Sequence, residues 1–121
     1  MDNDTNLEVL KDKVQKFSED RDWSQFHSPK ELAIGIITES SELLEHFRFK
    51  SDKEMEEILK DEKKRAEIGE ELADIMFFIL RFSQMYNFNL SQEITNKIQK
   101  NEIRLPIEKS KGLNKKYTEY S

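Results

Sequence analysis

Two pairs of carboxylates stand three residues apart, in stretches that are otherwise apolar and helix-forming. Glu39 and Glu42 form the first pair, and Glu71 and Asp74 form the second. In an α-helix, residues three apart differ by only about 60° in direction, so each pair projects from one face. On a helical wheel, both pairs border the apolar seam of their helix. We therefore expect the four carboxylates to converge at the edge of a packed helical core.

Carboxylates gathered beside an apolar core need compensation, because like charges repel each other and are poorly solvated there. Either the pKa values of the acids rise, or a hard cation lies among them. A ligand set made only of oxygens suits Mg²⁺, or Mn²⁺ as the alternative, better than zinc, which favours His and Cys. One such pair alone is more typical of a solvated helix surface, but two pairs in the same register favour a metal site.

The composition restricts the class of protein. The chain has 121 residues with 36% hydrophobic and 37% charged residues, 3 Gly and 2 Pro, which favours one all-α domain with a modest core. The net charge of −5 argues against a nucleic-acid partner, and the lack of cysteine excludes disulfides and thiolate ligands. No apolar run is long enough to span a membrane, and the acidic N-terminus is unlike a signal peptide. These features predict a cytoplasmic protein with no membrane partner.

Hydrophobic periodicity predicts a bundle of four helices that position the acids, at about 7–19, 29–49, 61–86 and 91–104. A charged segment from 52 to 65 is either a separate short helix or the start of the third. Residues 1–106 would form the helical domain, and 107–121 a polar, basic tail. The expected helix caps are Asn6 or Thr5, Ser28, Ser51 or Asp52, and Ser91.

The third helix is apolar over most of its circumference around the sequence MFFIL. A helix of this kind is buried on more than one side, and a chain this small has few elements with which to bury it. This pattern predicts a subunit interface. Gly69, in the middle of the same helix, is expected to mark close packing.

The loop between the first two helices holds Trp23, Phe26 and His27 beside basic residues. Aromatic rings joined to polar groups are what a base-stacking pocket needs. Alternatively, the aromatic rings fasten the loop to the helices and His27 is a structural histidine. His46 lies close to Glu39 on the helical wheel, where a supporting role is favoured over a ligand role.

The fourth predicted helix carries Lys97, Asn101 and Arg104 at i, i+4 and i+7, so they share one face. Two cations and an amide in line can hold a polyphosphate, and such a face is coherent opposite a metal cluster. The Glu-x-x-His motif of di-iron bundles, Walker motifs and Gly-x-Gly-x-x-Gly are absent from the sequence.

Taken together, these residues resemble the signature of the MazG-like, all-α nucleoside triphosphate pyrophosphohydrolases. The spacing of Glu39-x-x-Glu42 and Glu71-x-x-Asp74 is similar to the metal-binding motif of that family. Other segments are similar to its dCTP pyrophosphatase branch: RDWSQFHSPKEL, ESSELLEHFRFK, GEELADI, Asn101-x-x-Arg104-x-Pro106 and KKYTE. The resemblance extends from about residue 17 to residue 119.

The resemblance implies a four-helix, MazG-like bundle completed by homo-oligomerisation, as a dimer or tetramer with active sites between subunits. It implies hydrolysis of (deoxy)nucleoside triphosphates, such as dCTP and other pyrimidine dNTPs, to the monophosphate and pyrophosphate. Mg²⁺ held by all four acids would clamp the triphosphate and activate water. Glu42, together with Glu39, would be catalytic, with Glu42 orienting or deprotonating that water.

The same resemblance implies the substrate contacts. Phe49 and Phe78 depart from the Trp and Tyr of some relatives, which keeps a stacking surface but loses a hydrogen-bonding group and leaves the preferred base open. The phosphate and sugar contacts would be Lys97, Asn101, Arg104, Lys116 and Tyr117, and the base contacts Trp23, Phe26, His27, Phe49 and Phe78.

Two other interpretations remain open at this point. In the first, a helical oligomer binds a nucleotide or a metal without catalysis, as a sensor or scaffold. In the second, the acids are surface charge and the aromatic residues are core.

Overall fold

The computed structural model describes residues 1–119, and within that range all regular structure is helical. This confirms the all-α prediction. The chain forms two compact units, one from Met1 to Asn87 and one that begins at Phe88. The predicted boundary after residue 106 stays a prediction. The helices are α1 (Leu7–Asp20), α2 (Pro29–Glu45), α3 (Asp52–Lys60), α4 (Glu62–Met85), α5 (Leu90–Arg104) and α6 (Ile107–Ser110).

Side-chain caps fix where the first helices begin. The Asn6 side chain accepts a hydrogen bond from the backbone N–H of Val9 at 3.0 Å, and α1 starts at the next residue after Asn6. Ser28 accepts in the same way from the N–H of Glu31 at 3.2 Å, and Pro29 occupies the first position of α2. Both caps satisfy backbone donors that the helix itself leaves unpaired, as the sequence predicts.

Helix α2 ends at Glu45, earlier than the predicted end at Phe49. The physical reason is the strong start signal that follows it. Ser51 and Glu54 form a reciprocal capping box, at 3.2 and 3.0 Å, which makes α3 a separate helix and requires non-helical backbone before it. Phe49 lies in the intervening turn with a left-handed φ of 63°.

In the first unit, α4 is the central helix and packs against α2, α1 and α3. Among the described residues, few apolar side chains are fully buried: Leu32 of α2, and Ile68 and Leu80 of α4. Large apolar side chains of the same two helices remain exposed. The unit therefore has a small core for its length, and part of its apolar surface is left uncovered.

The second unit contains α5 and α6, followed by a short 3-10 turn at Tyr117–Glu119. Helix α5 is capped by Asn89, whose side chain accepts from the N–H of Gln92 at 3.0 Å. The predicted cap at Ser91 is wrong, because Asn89 supplies the same bond two residues earlier. No helix within the described residues is both long enough and apolar enough to cross a membrane.

Candidate active site

Helices α2 and α4 bring three of the four predicted carboxylates together. One carboxylate oxygen each from Glu39, Glu42 and Glu71 lies within 4.8 Å of the other two. Glu39 and Glu71 are half-buried, whereas Glu42 is exposed. The cluster therefore lies where the two helices meet, at the border between the packed side and solvent. This arrangement follows from the i, i+3 spacing on α2 and from the packing of α2 against α4.

Two carboxylate oxygens of the cluster are buried without a hydrogen-bond partner in the part of the chain that the structure describes. Glu39 Oε2 and Glu71 Oε2 are both buried, and neither has a hydrogen-bond partner among the described residues. A buried carboxylate oxygen without a partner is costly, so such atoms in a native structure call for a proton or a cation. Three converging carboxylates are a ligand set for a hard divalent ion. The residues present thus fit the cation that the sequence predicts.

The acidity of the cluster reflects this crowding. Burial, followed by hydrogen bonding to Glu42 and the negative charge of Glu42, raises the pKa of Glu39 to about 7. Burial and the same neighbour also raise the pKa of Glu71. His46 Nε2 lies 3.8 Å from Glu71 Oε1, and its positive charge when protonated opposes that rise. Without a cation, Glu39 therefore exchanges its proton near neutral pH.

Asp74, the fourth predicted ligand, lies outside the group of three oxygens but close to it. Its negative charge contributes to the raised pKa values of both Glu39 and Glu71. Asp74 also lines a cleft of about 490 Å³ next to the cluster, together with Glu39. The remaining walls of that cleft are formed by Lys13, Val14, Phe17, Trp23, Phe77 and Phe78.

Of the five predicted base contacts, two line this cleft, namely Trp23 and Phe78. Phe78 approaches α2 closely because Gly35 has no side chain there. A Cβ atom added to Gly35 would lie 2.7 Å from the Phe78 ring, well inside van der Waals contact. The prediction of close packing at Gly69 is wrong, since an added Cβ would meet nothing within 4 Å. Gly35, and not Gly69, is the glycine at which two helices pack closely. Its position in an apolar stretch of α2 is the sequence feature that could have indicated this.

The other predicted base contacts have different surroundings. Phe49 is 90% exposed in the turn after α2, with the Arg48 guanidinium 4.7 Å from its ring centre. Phe26 is also exposed, in a short 3-10 turn before α2. His27 is 8% exposed, and its Nδ1 accepts a hydrogen bond from Arg81 Nε at 2.8 Å. The base-binding role of these three residues stays a prediction.

Arg81 is a further residue of interest that the motifs and spacings of the sequence do not single out. It is a buried guanidinium, 1% exposed, on the apolar part of α4. Burial lowers its pKa from the usual value. The signal was a single arginine in the middle of the run MFFILRFS, where a charged residue is costly unless it has polar partners.

The predicted phosphate and sugar contacts belong to the second unit. Lys97, Asn101 and Arg104 occupy successive turns of α5, with Lys97 exposed and the other two half-buried. Lys116 is exposed in the segment that follows α6. Tyr117 begins the last 3-10 turn, and its side chain lies outside the described part.

Comparison with known proteins identifies relatives over most of the chain. The sequence model of the MazG-like family matches residues 34–120. The dCTP pyrophosphatase 1 of Mus musculus is 34% identical over 113 residues, and that of Homo sapiens is 30% identical over 113 residues. In both cases the match covers 93% of this chain and 66% of the relative. The chain thus spans about two thirds of the length of these curated relatives.

Among solved structures, a pyrophosphatase from Archaeoglobus fulgidus has a similar fold and sequence. The two superpose with a TM-score of 0.77 at 35% identity, over 82% of this chain and 91% of that one. The acids, the cleft and the helical architecture described above therefore occur in a chain whose relatives are named as pyrophosphatases.

Proposed function

The chain belongs to the MazG-like family, and from that premise we propose that it is a metal-dependent nucleoside triphosphate pyrophosphohydrolase. It converts a nucleoside triphosphate to the monophosphate and pyrophosphate. The observation that carries this proposal is the convergence of Glu39, Glu42 and Glu71, with two buried oxygens lacking partners, beside an aromatic cleft. The names of the relatives in mouse and man, both dCTP pyrophosphatase 1, support the reaction class.

The proposed cation site uses Glu39, Glu42, Glu71 and Asp74, with Mg²⁺ as the natural ion and Mn²⁺ as a substitute. A divalent ion bound there supplies charge neutralisation for phosphate oxygens and acidifies water. Glu42 is the member of the cluster that faces solvent, so we assign to it the orientation and deprotonation of the attacking water. Glu39, whose carboxylate lies next to that of Glu42 in the cluster, is the second proposed catalytic residue.

The proposed nucleoside site is the aromatic cleft. Trp23 and Phe78 offer ring faces on which a base can stack, and Glu39 and Asp74 lie in the same cleft where the phosphate end would meet the metal. A pyrimidine deoxynucleotide such as dCTP is the proposed substrate, in agreement with the names of the curated relatives. Lys97, Asn101, Arg104, Lys116 and Tyr117 are the proposed phosphate and sugar contacts.

A homo-oligomer, as a dimer or tetramer, is the proposed state of the protein. On α2, the exposed side chains of Ile34, Ile37 and Leu44 lie on one face, and Ile37 is 70% exposed. Exposed apolar side chains that continue along one helix are typical of subunit interfaces. Sedimentation velocity of the wild type and of Ile37→Glu tests this, and a wild type that sediments as a monomer at all concentrations would contradict it.

A panel of nucleoside triphosphates, separated by ion-exchange chromatography after incubation with Mg²⁺, tests the proposed reaction. We expect equimolar monophosphate and pyrophosphate, with pyrimidine deoxynucleotides consumed fastest. Release of single phosphate, or no product from any nucleotide, would contradict the proposal. Binding of nucleotide in calorimetry without any product would instead indicate the non-catalytic sensor or scaffold.

A further inference from the structure

Arg81 directs its hydrogen bonds to the loop that joins α1 to α2 (residues 21–28, here the α1–α2 loop). Its Nε donates to His27 Nδ1 and its Nη2 donates to Ser24 Oγ, both at 2.8 Å. These partners are uncharged, and a buried guanidinium is costly unless its donors are satisfied. A residue that is 1% exposed and bound in this way holds its partners in place.

Two residues at the C-terminal end of α4, Gln84 and the C-cap Tyr86, extend the same hydrogen-bonded group. The Tyr86 hydroxyl donates to the backbone oxygen of His27 at 2.6 Å, which fixes the end of the loop a second time. Gln84 accepts from Arg81 Nη1 at 2.8 Å and donates to the backbone oxygen of Lys11 at 2.7 Å. The end of α4 is therefore tied both to the α1–α2 loop and to α1.

His27 can accept from Arg81 only when its Nδ1 carries no proton. Burial, followed by the positive charge of Arg81, lowers the pKa of His27. The imidazole therefore remains neutral at physiological pH and keeps its role as acceptor. The hydrogen bond from Arg81 to the loop is therefore compatible with physiological pH.

What the loop presents to the cleft is Trp23. Its ring lines the cleft with Glu39 and Asp74, and it packs edge-on against Phe17 at 5.4 Å and against His27 at 6.5 Å between ring centres. In the described part of the chain, Arg81 is not among the residues that line the cleft. Any effect of Arg81 on a ligand must therefore pass through Ser24 and His27 to Trp23.

We propose that Arg81 is a positioning residue for the nucleoside end of the substrate, because its bonds to Ser24 and His27 fix Trp23 in the wall of the cleft. This inference rests on the proposed function for the identity of the ligand. The position of Trp23 in the cleft wall is independent of the proposed function, because the structure shows it directly. The inference uses none of the carboxylates of the acid cluster.

Trp23 is the one tryptophan of the chain, so its emission reports on this loop without a label. In Arg81→Met, we expect a red shift of the Trp23 emission and stronger quenching by acrylamide. We also expect KM for the best nucleotide to rise by about tenfold, with kcat changed much less, because the variant loses binding rather than chemistry. Arg81→Lys keeps the charge but has a single donor nitrogen in place of the three of the guanidinium, and we expect it to restore part of both properties.

Arg65→Met is the matched control, since Arg65 is an exposed arginine of the same helix. It is expected to leave emission, quenching and KM unchanged. If Arg81→Met does not fold, as judged by circular dichroism, Ser24→Ala decides, because it removes a single bond of the group. A folded Arg81→Met, or failing that Ser24→Ala, with wild-type quenching overturns the proposal. A wild type without pyrophosphohydrolase activity contradicts the proposed function, whereas the quenching result still decides the role of Arg81.

Discussion

Gly35 of α2 and Phe78 of α4 are in such close contact that a Cβ atom at Gly35 would lie only 2.7–2.8 Å from three atoms of the ring. Because Phe78 lines the cleft, this contact sets the position of one of its aromatic walls. The two helices that carry the acids thus also fix one aromatic ring of the cleft wall. The width of the cleft and the spacing of the acids depend on the same helix pair.

Gly35→Ala should therefore displace Phe78. We expect a loss of about 1–3 kcal/mol in the free energy of unfolding, as for other overpacked interiors, together with a higher KM. Urea unfolding and steady-state kinetics measure the two effects. Gly69→Ala is the matched control, since nothing lies within 4 Å of its added Cβ and alanine favours the helix. A Gly35→Ala protein as stable as Gly69→Ala would contradict the importance of this contact.

Glu42→Gln should abolish most of the turnover and leave the helices intact. Loss of a general base typically lowers kcat by about 10²–10⁴-fold. Glu45 is an exposed glutamate one turn further along α2 that pairs with Arg48 at 3.4 Å, and Glu45→Gln should retain activity. Rate measurements at saturating nucleotide, with circular dichroism of each variant, test this. Equal rates for Glu42→Gln and wild type would remove Glu42 from the mechanism.

The raised pKa of Glu39 makes the stability of the metal-free protein depend on pH. The unfolded chain releases this proton near the ordinary value of 4.5, whereas the folded chain retains it up to about 7. The contribution to stability is therefore fully present below pH 4.5 and is lost as the pH rises to about 7. In Glu39→Gln this loss is absent, so the variant should be more stable than wild type in EDTA at pH 8.

Thermal unfolding in EDTA across this pH range measures the difference between the two proteins. It should close below pH 4.5, where Glu39 is protonated in both the folded and the unfolded chain. With Mg²⁺ at pH 8 the order should reverse, because the uncharged amide of glutamine binds the ion more weakly than the carboxylate does. A variant less stable than wild type in EDTA at pH 8 would show that burial and the neighbouring carboxylates do not disfavour the ionised form of Glu39.

Binding of the metal should release protons. At pH 6.5 Glu39 is largely protonated in the free protein, given its pKa of about 7, and a bound cation requires the carboxylate. Calorimetric titration with Mg²⁺ or Mn²⁺ should therefore give heats that depend on the ionisation enthalpy of the buffer at pH 6.5 and much less at pH 8. Affinity should fall as the pH drops below 7. Buffer-independent heats at pH 6.5 would place the ion elsewhere.

The sequence predicts the all-helical fold and the meeting of the acids because both follow from local rules. Helical periodicity puts Glu39 and Glu71 beside the apolar seam. Asn6 and Ser28 mark helix starts because their side chains accept hydrogen bonds from backbone N–H groups three residues later. Cap choice is harder where two candidates lie close together, as at Asn89 and Ser91, since the outcome depends on local backbone geometry.

Hydrophobic periodicity predicts which face of a helix is buried, but it does not predict which distant residue that face contacts. Arg81 and His27 are 54 positions apart in the sequence. The hydrogen bond between them depends on a loop conformation that no local sequence pattern specifies. The contrast between Gly35 and Gly69 has the same origin, because either glycine could have faced a neighbouring ring. Only the packing of α2 on α4 decides which one does.

The scarcity of fully buried apolar side chains in the first unit has a consequence for the protein in dilute solution. With Leu32, Ile68 and Leu80 as the buried apolar residues of the described part, much apolar surface of α2 and α4 stays exposed, and the proposed homo-oligomer would remove part of it from water. By mass action, folding would then be coupled to assembly. The melting temperature would rise with the amount of protein present, and a cell that makes little of this chain would hold a less durable enzyme.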